Sequence, residues 1–155
     1  MRTIFNIMAI VLIASVFLGC NKELPFDEQL VIDVELIDEY LAENGIDAIE
    51  DPSGLRYVIE EEGGDKKAAY FSAVSAKYKG TLMKNGKEFD ANSDGFTFYL
   101  SNVIKGWQIG IPKVGVDGII HLYIPSVLAY GSAGSGDDIP KNANLIFRVE
   151  VIAIN

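Results

Sequence analysis

Apolar residues recur at every second position in several short segments between residues 55 and 151, and this alternation constrains the fold more than any other feature. A strand places successive side chains on opposite faces, so each segment predicts a strand with one buried face. Asn85-Gly86, after the second segment, is typical of a tight antiparallel hairpin, and one short helix fits around residues 103–110. The sequence therefore predicts an α+β fold, an antiparallel sheet with a short helix against its concave side. The alternating positions are Leu55, Tyr57 and Ile59; Val74, Ala76 and Tyr78; Phe96 and Phe98; Ile120, Leu122 and Ile124; and Leu145, Phe147, Val149 and Val151.

The beginning of the chain has a different character. Arg2 precedes an apolar run from Ile4 to Leu18. This run is shorter than the about 20 residues of a typical transmembrane helix, and it predicts a secretory signal. It ends in Phe-Leu-Gly followed by Cys20, which resembles a bacterial lipobox. That resemblance implies removal of residues 1–19 and acylation of Cys20, whereas the alternative is a free buried thiol.

An acidic segment separates this signal from the strands. Residues 20–26 are predicted to be a tether, residues 27–50 an N-terminal helical segment that ends near Asn44-Gly45, and residues 51–155 the main domain. The acidic face of the helix leaves three interpretations: an exposed spacer, a helix that packs on the domain, or a dimerisation helix. Its apolar positions, at helical spacing, are Leu30, Val34, Ile37 and Leu41.

Charge and composition exclude several classes of function. The chain has 13 basic and 22 acidic residues, a formal charge of −9, and no cluster of Lys and Arg. It is therefore not expected to bind nucleic acid. The single histidine, His121, cannot supply a two-histidine metal site, and the single cysteine cannot close an intramolecular disulfide.

Three motifs suggest chemistry, but each has a simpler interpretation. Residues 90–95 match the first half of a calcium loop, yet the twelfth position is Ser101 rather than Glu, which favours a solvated turn. Residues 129–140 are rich in glycine without the spacing of a phosphate-binding loop. A Ser-His-Asp triad would need His121, for which a solvent-facing strand position is favoured. The sequence thus offers aromatic residues and no evident acid, base or nucleophile.

The segments that hold most of these aromatic residues resemble the FKBP-type peptidyl-prolyl isomerases. The resemblance covers about residues 54–154 and implies an FKBP-like antiparallel sheet wrapped around a short helix. A signal, an acidic helix and then the domain also resemble the lipoprotein form of the family in Gram-negative bacteria, in a Bacteroidetes-like arrangement. The matching segments are VSAKYKGTLMKNGKEFD, FTFYL, VIKGWQIGIPKVGVDG, LYIPSVLAYGSAG and IPKNANLIFRVEVIAI.

By this resemblance, Trp107 forms the floor of an apolar pocket for a proline ring. The Ile104 N–H and the Tyr130 hydroxyl would bind substrate carbonyls, and Asp90 near Tyr78 would be the one charge of the pocket. The alternative is that these aromatic residues are simply core. The implied catalytic residues are Tyr78, Asp90, Ile104 and Tyr130; the implied substrate-binding residues are Phe89, Phe96, Val103, Trp107, Ile139 and Phe147.

The resemblance implies a peptidyl-prolyl cis-trans isomerase, or rotamase, that assists the folding of extracytoplasmic proteins without a cofactor or a metal. Its partners would be proline-containing polypeptides and macrolide inhibitors of the rapamycin type. An acylated Cys20 would anchor it to a bacterial membrane, expected to be the outer membrane, on the periplasmic or the surface side. The alternative is a non-catalytic module or chaperone that uses the same groove to bind Pro-containing segments. Asp137 and Asp138, beside the groove, predict a preference for substrates with a basic residue near the proline, unless that loop is merely solvated.

Overall fold

The structure, a computed structural model, describes residues 23–155 as one six-stranded antiparallel sheet with two α-helices. The predicted α+β fold is confirmed. The predicted signal and the lipobox at Cys20 lie outside the described residues. The helices are α1 (Phe26–Glu43) and α2 (Lys105–Gly110); the strands are β1 (Ile49–Glu50), β2 (Arg56–Glu61), β3 (Ala73–Leu82), β4 (Glu88–Tyr99), β5 (Ile119–Ile124) and β6 (Leu145–Ile154).

The strands follow the spatial order β1-β2-β5-β6-β3-β4. β6 pairs with β5 on one side and with β3 on the other, so it lies at the centre of the sheet. β3 and β4 form the hairpin that Asn85-Gly86 predicts, with Gly86 at φ 68° in its turn. Positive φ costs glycine little, which suits this position.

α2 packs directly on β5 because two glycines face the sheet. A Cβ on Gly106 would lie 2.5 Å from Ile124 Cγ2, and one on Gly110 would collide with the side chain of Leu122. The helix therefore approaches the strand closely, and Trp107 and Ile111 join the main hydrophobic core. This is the short helix predicted around residues 103–110.

α1 packs on the opposite face of the sheet and is not a free spacer. Ile37 and Leu41 are buried against Tyr123, whose neighbours on β5 face the main core on the other side. Arg56, buried on β2, donates to Asp38 of α1 from Nε at 2.8 Å and from a terminal nitrogen at 3.0 Å. Hydrophobic contact and an ion pair thus hold the helix on the domain.

The buried face of α1 differs from the predicted one. Leu30 and Val34 are only half-buried, whereas Gln29 and Asp33 are buried. The polar residues take the inner positions because Asp33 accepts hydrogen bonds from the domain, as described below. The helix ends at Glu43 with Asn44 as its C-cap, as Asn44-Gly45 predicts, and the last two residues of the predicted segment form β1.

The predicted turn at residues 90–95 lies within β4. Residues 93–95 stand opposite the single residue Lys77, between the pairs Tyr78–Asn92 and Ala76–Phe96. The Asn92 side chain accepts hydrogen bonds from the backbone N–H groups of Asp94 and Gly95, at 3.2 and 2.8 Å. Pairing with β3 therefore continues through a bulge, and the expectation of a turn between two strands is wrong.

Candidate active site

Trp107 lies at the centre of an aromatic cluster. The residue is buried, with 6% of its surface exposed. The rings of Tyr78 and Phe147 meet it edge-on, with centroids at 5.1 and 5.2 Å, and Phe98 lies tilted at 5.2 Å. Edge-to-face contacts of this kind stabilise an aromatic arrangement beyond its buried area. The indole Nε1 is buried and has no partner among residues 23–155.

Tyr78 and Asp90 form the polar edge of this cluster. The Tyr78 hydroxyl donates to Asp90 Oδ2 at 2.8 Å. Burial first, and then this hydrogen bond, raises the pKa of Tyr78 to about 12, so the phenol stays a neutral donor at neutral pH. Residues 91–95 contain no basic residue, and in the described part of the chain no cation pairs with Asp90.

Phe89 and Phe147 form one wall, and Gly80 makes room for them. The two rings meet at 5.4 Å in an edge-to-face contact. A Cβ at Gly80 would lie 2.7 Å from both Phe147 Cε1 and Phe89 Cζ. The missing side chain on β3 therefore shapes this wall, a role that the sequence analysis did not foresee.

Val103 and Ile104 are half-buried where the chain enters α2. The Ile104 carbonyl accepts the N–H groups of Trp107 and Gln108, at 3.0 and 3.2 Å, while no described residue accepts its own N–H. Gln108 Nε2 donates to the carbonyls of Val103 and Ser101, at 2.8 and 3.2 Å. Gln108 thus fixes the segment that presents a free backbone donor, and sequence reasoning missed it.

Tyr130 and Ile139 come from the glycine-rich loop. Tyr130 is exposed, and in the described residues its hydroxyl has no hydrogen-bond partner. Partial burial of the phenol, and then the nearby charge of Asp90, raises the pKa of Tyr130. Ile139 is buried, and its backbone pairs with Ser135 in both directions, at 2.9 and 3.1 Å. The loop is therefore tied by hydrogen bonds beside the aromatic cluster.

The acidic tip of this loop is partly neutralised. Lys87, next to the Phe89 wall, lies 3.0 Å from Asp138 Oδ1. Asp137 is exposed. The predicted preference for basic substrates would thus depend on Asp137 and Asp90 more than on Asp138, and it stays a prediction.

Phe96 lies at the rim. It is 53% exposed and stacks on Phe98, with centroids at 6.1 Å and planes at 22°. Phe98 is the residue that contacts Trp107, so the inner position on this strand belongs to Phe98. The alternating FTF pattern is the signal that relates the two rings.

The remaining candidates lie elsewhere. His121 faces the other side of β5 and is half-buried, with Nε2 2.8 Å from Glu60 Oε2. Across residues 23–155, no three His, Cys, Asp or Glu side chains come together as a possible metal site. No helix in the same range is long and apolar enough to span a membrane.

The arrangement is suited to binding rather than to acid–base chemistry. The aromatic and apolar side chains around Trp107 pack beside one carboxylate, that of Asp90, and near a free backbone donor at Ile104 and a neutral hydroxyl at Tyr130. Such a site can exclude water from an apolar group and hold a carbonyl oxygen.

Comparisons with known proteins agree with this geometry. The family model for FKBP-type peptidyl-prolyl cis-trans isomerases matches residues 64–152. The FKBP-type isomerase FkpA of Aeromonas hydrophila is 40% identical over 124 residues, covering 76% of this chain and 45% of that protein. A probable FkpA of Neisseria meningitidis is 41% identical over 105 residues, covering 66% and 38%. The chain thus spans less than half the length of these relatives.

Solved structures give the same result. The crystal structure of FkpA from Escherichia coli has a TM-score of 0.72 at 32% identity, covering 84% of this chain and 62% of that one. A peptidyl-prolyl isomerase from Pseudomonas syringae has a TM-score of 0.72 at 28% identity, covering 86% and 98%.

Proposed function

Because the chain belongs to the family of FKBP-type peptidyl-prolyl cis-trans isomerases, we propose that it catalyses the rotation of Xaa-Pro peptide bonds in folding polypeptides. The observation that carries the proposal is the aromatic cluster around Trp107, with rings from three strands meeting it at 5.1–5.2 Å. Polypeptides that expose proline are the proposed substrates, and macrolides of the rapamycin type are the proposed inhibitors.

The reaction needs no covalent step. Rotation about an Xaa-Pro bond crosses a barrier of ~18–20 kcal/mol that amide resonance sets. The twisted amide is less conjugated and less polar than the planar one, so an apolar pocket that excludes water favours it. Only interactions that are stronger in the transition state accelerate the reaction.

The two unpartnered donors supply orientation. The Ile104 N–H would hold a substrate carbonyl on one side of the bond that turns, and the Tyr130 hydroxyl would bind a second carbonyl. Preorganised donors cost no reorganisation when the amide twists. Because the pKa values of Tyr78 and Tyr130 are raised, both phenols keep their protons at neutral pH.

A protease-coupled isomerisation assay on Xaa-Pro peptides tests the proposal, together with a macrolide titration monitored through the fluorescence of Trp107, the only tryptophan. We expect a saturable change in emission and faster isomerisation than in buffer. Tyr130→Phe should weaken macrolide binding by about 0.5–1.5 kcal/mol, the value of one hydrogen bond. Phe89→Ala should weaken it more, because a wall is lost.

The outcomes separate the alternatives. No macrolide binding, by fluorescence and by calorimetry, would contradict the pocket. Binding without faster isomerisation would favour a non-catalytic module or chaperone that recognises Pro-containing segments.

We further propose that the protein is the lipoprotein form of the family, anchored through an acylated Cys20 to an extracytoplasmic membrane surface. The support is the apolar run that ends in Phe17-Leu18-Gly19-Cys20. Cys20→Ala should move the protein from the detergent phase to the aqueous phase in a partitioning experiment. Unchanged partitioning would contradict the anchor.

A further inference from the structure

A buried polar network joins α1 to the segment that precedes Tyr130. Asp33 is 1% exposed, Ser126 is fully buried and Asn144 is 6% exposed. Asp33 Oδ2 accepts the Ser126 hydroxyl at 2.6 Å and the Val127 N–H at 3.2 Å. The network thus links residues that lie far apart in the sequence.

Gln29 of α1 joins these three side chains, and further hydrogen bonds complete the network. Gln29 Nε2 donates to Asp33 Oδ1 at 2.8 Å. Asn144 donates to the Asp33 carbonyl at 3.1 Å and accepts the Ser126 N–H at 2.9 Å. The Asp33 carboxylate therefore receives three hydrogen bonds, and in the described part of the chain it has no cationic partner. A buried carboxylate is tolerated only when its oxygens are satisfied in this way.

These bonds cap a turn. Residues Ser126–Leu128 form a 3₁₀ helix whose preceding residue, Pro125, supplies no side-chain cap. The first N–H groups of a helix need acceptors. Asn144 serves the N–H of Ser126 and Asp33 that of Val127, so the caps come from elements distant in sequence.

The capped turn leads directly to the site. The N–H groups of Leu128 and Ala129 bond back to the carbonyls of Pro125 and Ser126, both at 2.9 Å, and Tyr130 is the next residue. Beyond it, the Gly131 carbonyl accepts the Asn142 N–H at 2.8 Å. Hydrogen bonds thus fix the backbone both before and after Tyr130. Those before it include the bond from Val127 to Asp33 of α1.

We propose that Asp33 is a positioning residue for the isomerase site: from α1, it fixes the 126–129 turn so that the Tyr130 hydroxyl stands over the aromatic pocket. Asp33 lies outside residues 64–152, which match the family model. In this proposal, α1 contributes to the site by positioning Tyr130. The inference rests on the proposed function.

Three variants of α1 test it. Asp33→Ala removes the acceptor of the Val127 N–H and of the Ser126 hydroxyl. We expect kcat/KM to fall about tenfold, because displacement of a positioned group by ~1 Å can cost up to a factor of about 100. Asp33→Asn keeps an oxygen that accepts from Ser126 and Val127, and Gln29 can present its oxygen to the new amide, so we expect most of the activity to return. Asp38→Asn is the matched control, since Asp38 holds Arg56 and has no bond to the turn.

A double-mutant cycle separates positioning from stability. Tyr130→Phe should lower kcat/KM by about 2- to 12-fold in the wild-type background, which corresponds to one hydrogen bond. In the Asp33→Ala background the same change should cost less than ~2-fold, because the hydroxyl is already misplaced. The free energies of unfolding, measured in parallel, should instead be additive. If Asp33→Ala does not fold, Ser126→Ala, which removes one hydroxyl, replaces it in the cycle.

The inference would be overturned by losses of kcat/KM that multiply in the cycle, or by a loss in Asp38→Asn as large as that in Asp33→Ala. If wild type is active and Asp33→Ala is equally active, only this inference fails. If wild type does not accelerate isomerisation, the proposed function fails, and this inference with it.

Discussion

At the scale of single residues, Gly80 sets the width of the Phe89–Phe147 wall. Gly80→Ala would place a methyl group 2.7 Å from both rings. We expect a loss of about 1–3 kcal/mol in the free energy of unfolding, the usual cost of overpacking. Macrolide affinity should change as well, because the two rings must shift from their present positions. Urea denaturation and calorimetry measure the two effects.

The control for this substitution is Gly64→Ala. At Gly64 the nearest atom to a new Cβ is the Val116 oxygen at 3.7 Å, an ordinary contact. We expect a change within about 0.5 kcal/mol there. A Gly80→Ala protein as stable as wild type would show that the wall adapts freely.

Residue identities in the pocket were predictable only in part. Trp107, Tyr78, Phe89 and Tyr130 came from the family resemblance, and the structure brings them around one region. Gly80 and Gln108 did not, because a close approach across strands or a bond to a backbone carbonyl leaves no local pattern in the sequence. Phe98 shares the alternating FTF pattern with Phe96, but the pattern alone does not show which of the two rings contacts Trp107.

At the scale of elements, the contact between α2 and β5 depends on Gly106 and Gly110. In an exposed helix, Gly→Ala stabilises by about 0.8–1 kcal/mol through helix propensity. At Gly110 the new Cβ would collide with Leu122, so overpacking at about 1–3 kcal/mol should exceed that gain. We expect Gly110→Ala to unfold at lower urea concentration and to change the emission of Trp107.

Lys105→Ala is the control on the same helix, because Lys105 is exposed. It should leave both measurements nearly unchanged. A stabilised Gly110→Ala protein would mean that α2 lies further from the sheet than the structure places it.

The helices and strands were easier to predict than the contacts that each of them makes. Alternation identified the strands, but the bulge hid the continuity of β4, because Asn-Ser-Asp-Gly is also a good turn. The inner face of α1 was predicted from its apolar residues alone. Hydrogen bonds from Ser126 and Val127 to Asp33, which span 93 and 94 residues, instead determine which face of α1 is buried.

At the scale of the whole molecule, Glu60 ties three strands together on the face opposite α2. Its carboxylate accepts two bonds from Arg148 of β6, both at 3.1 Å, and lies 2.8 Å from His121 of β5. The hydrogen bonds from Arg148 first, and then that from His121, lower the pKa of Glu60 from 4.5 to about 2. A lowered folded-state pKa stabilises the protein above the unfolded value, and this stability is lost as the pH falls through the folded value.

Glu60→Gln should therefore reduce the free energy of unfolding at neutral pH. The difference from wild type should shrink between about pH 4.5 and about pH 2. Urea denaturation at fixed ionic strength across this range measures it. Glu61→Gln, an exposed neighbour on β2, is the control. A difference that does not vary with pH would contradict the assignment of the stabilising charge to Glu60.

The central place of β6 bears on when this protein can fold during its own synthesis. The ribosome makes β6 after the other five strands, yet β3 and β5 have no common neighbour until it arrives. The apolar faces of the earlier strands remain exposed until β6 has been synthesised, and contacts between strands distant in sequence form slowly. A nascent chain stalled before Leu145 should thus remain sensitive to protease, even though it already carries the whole of α2 with Trp107.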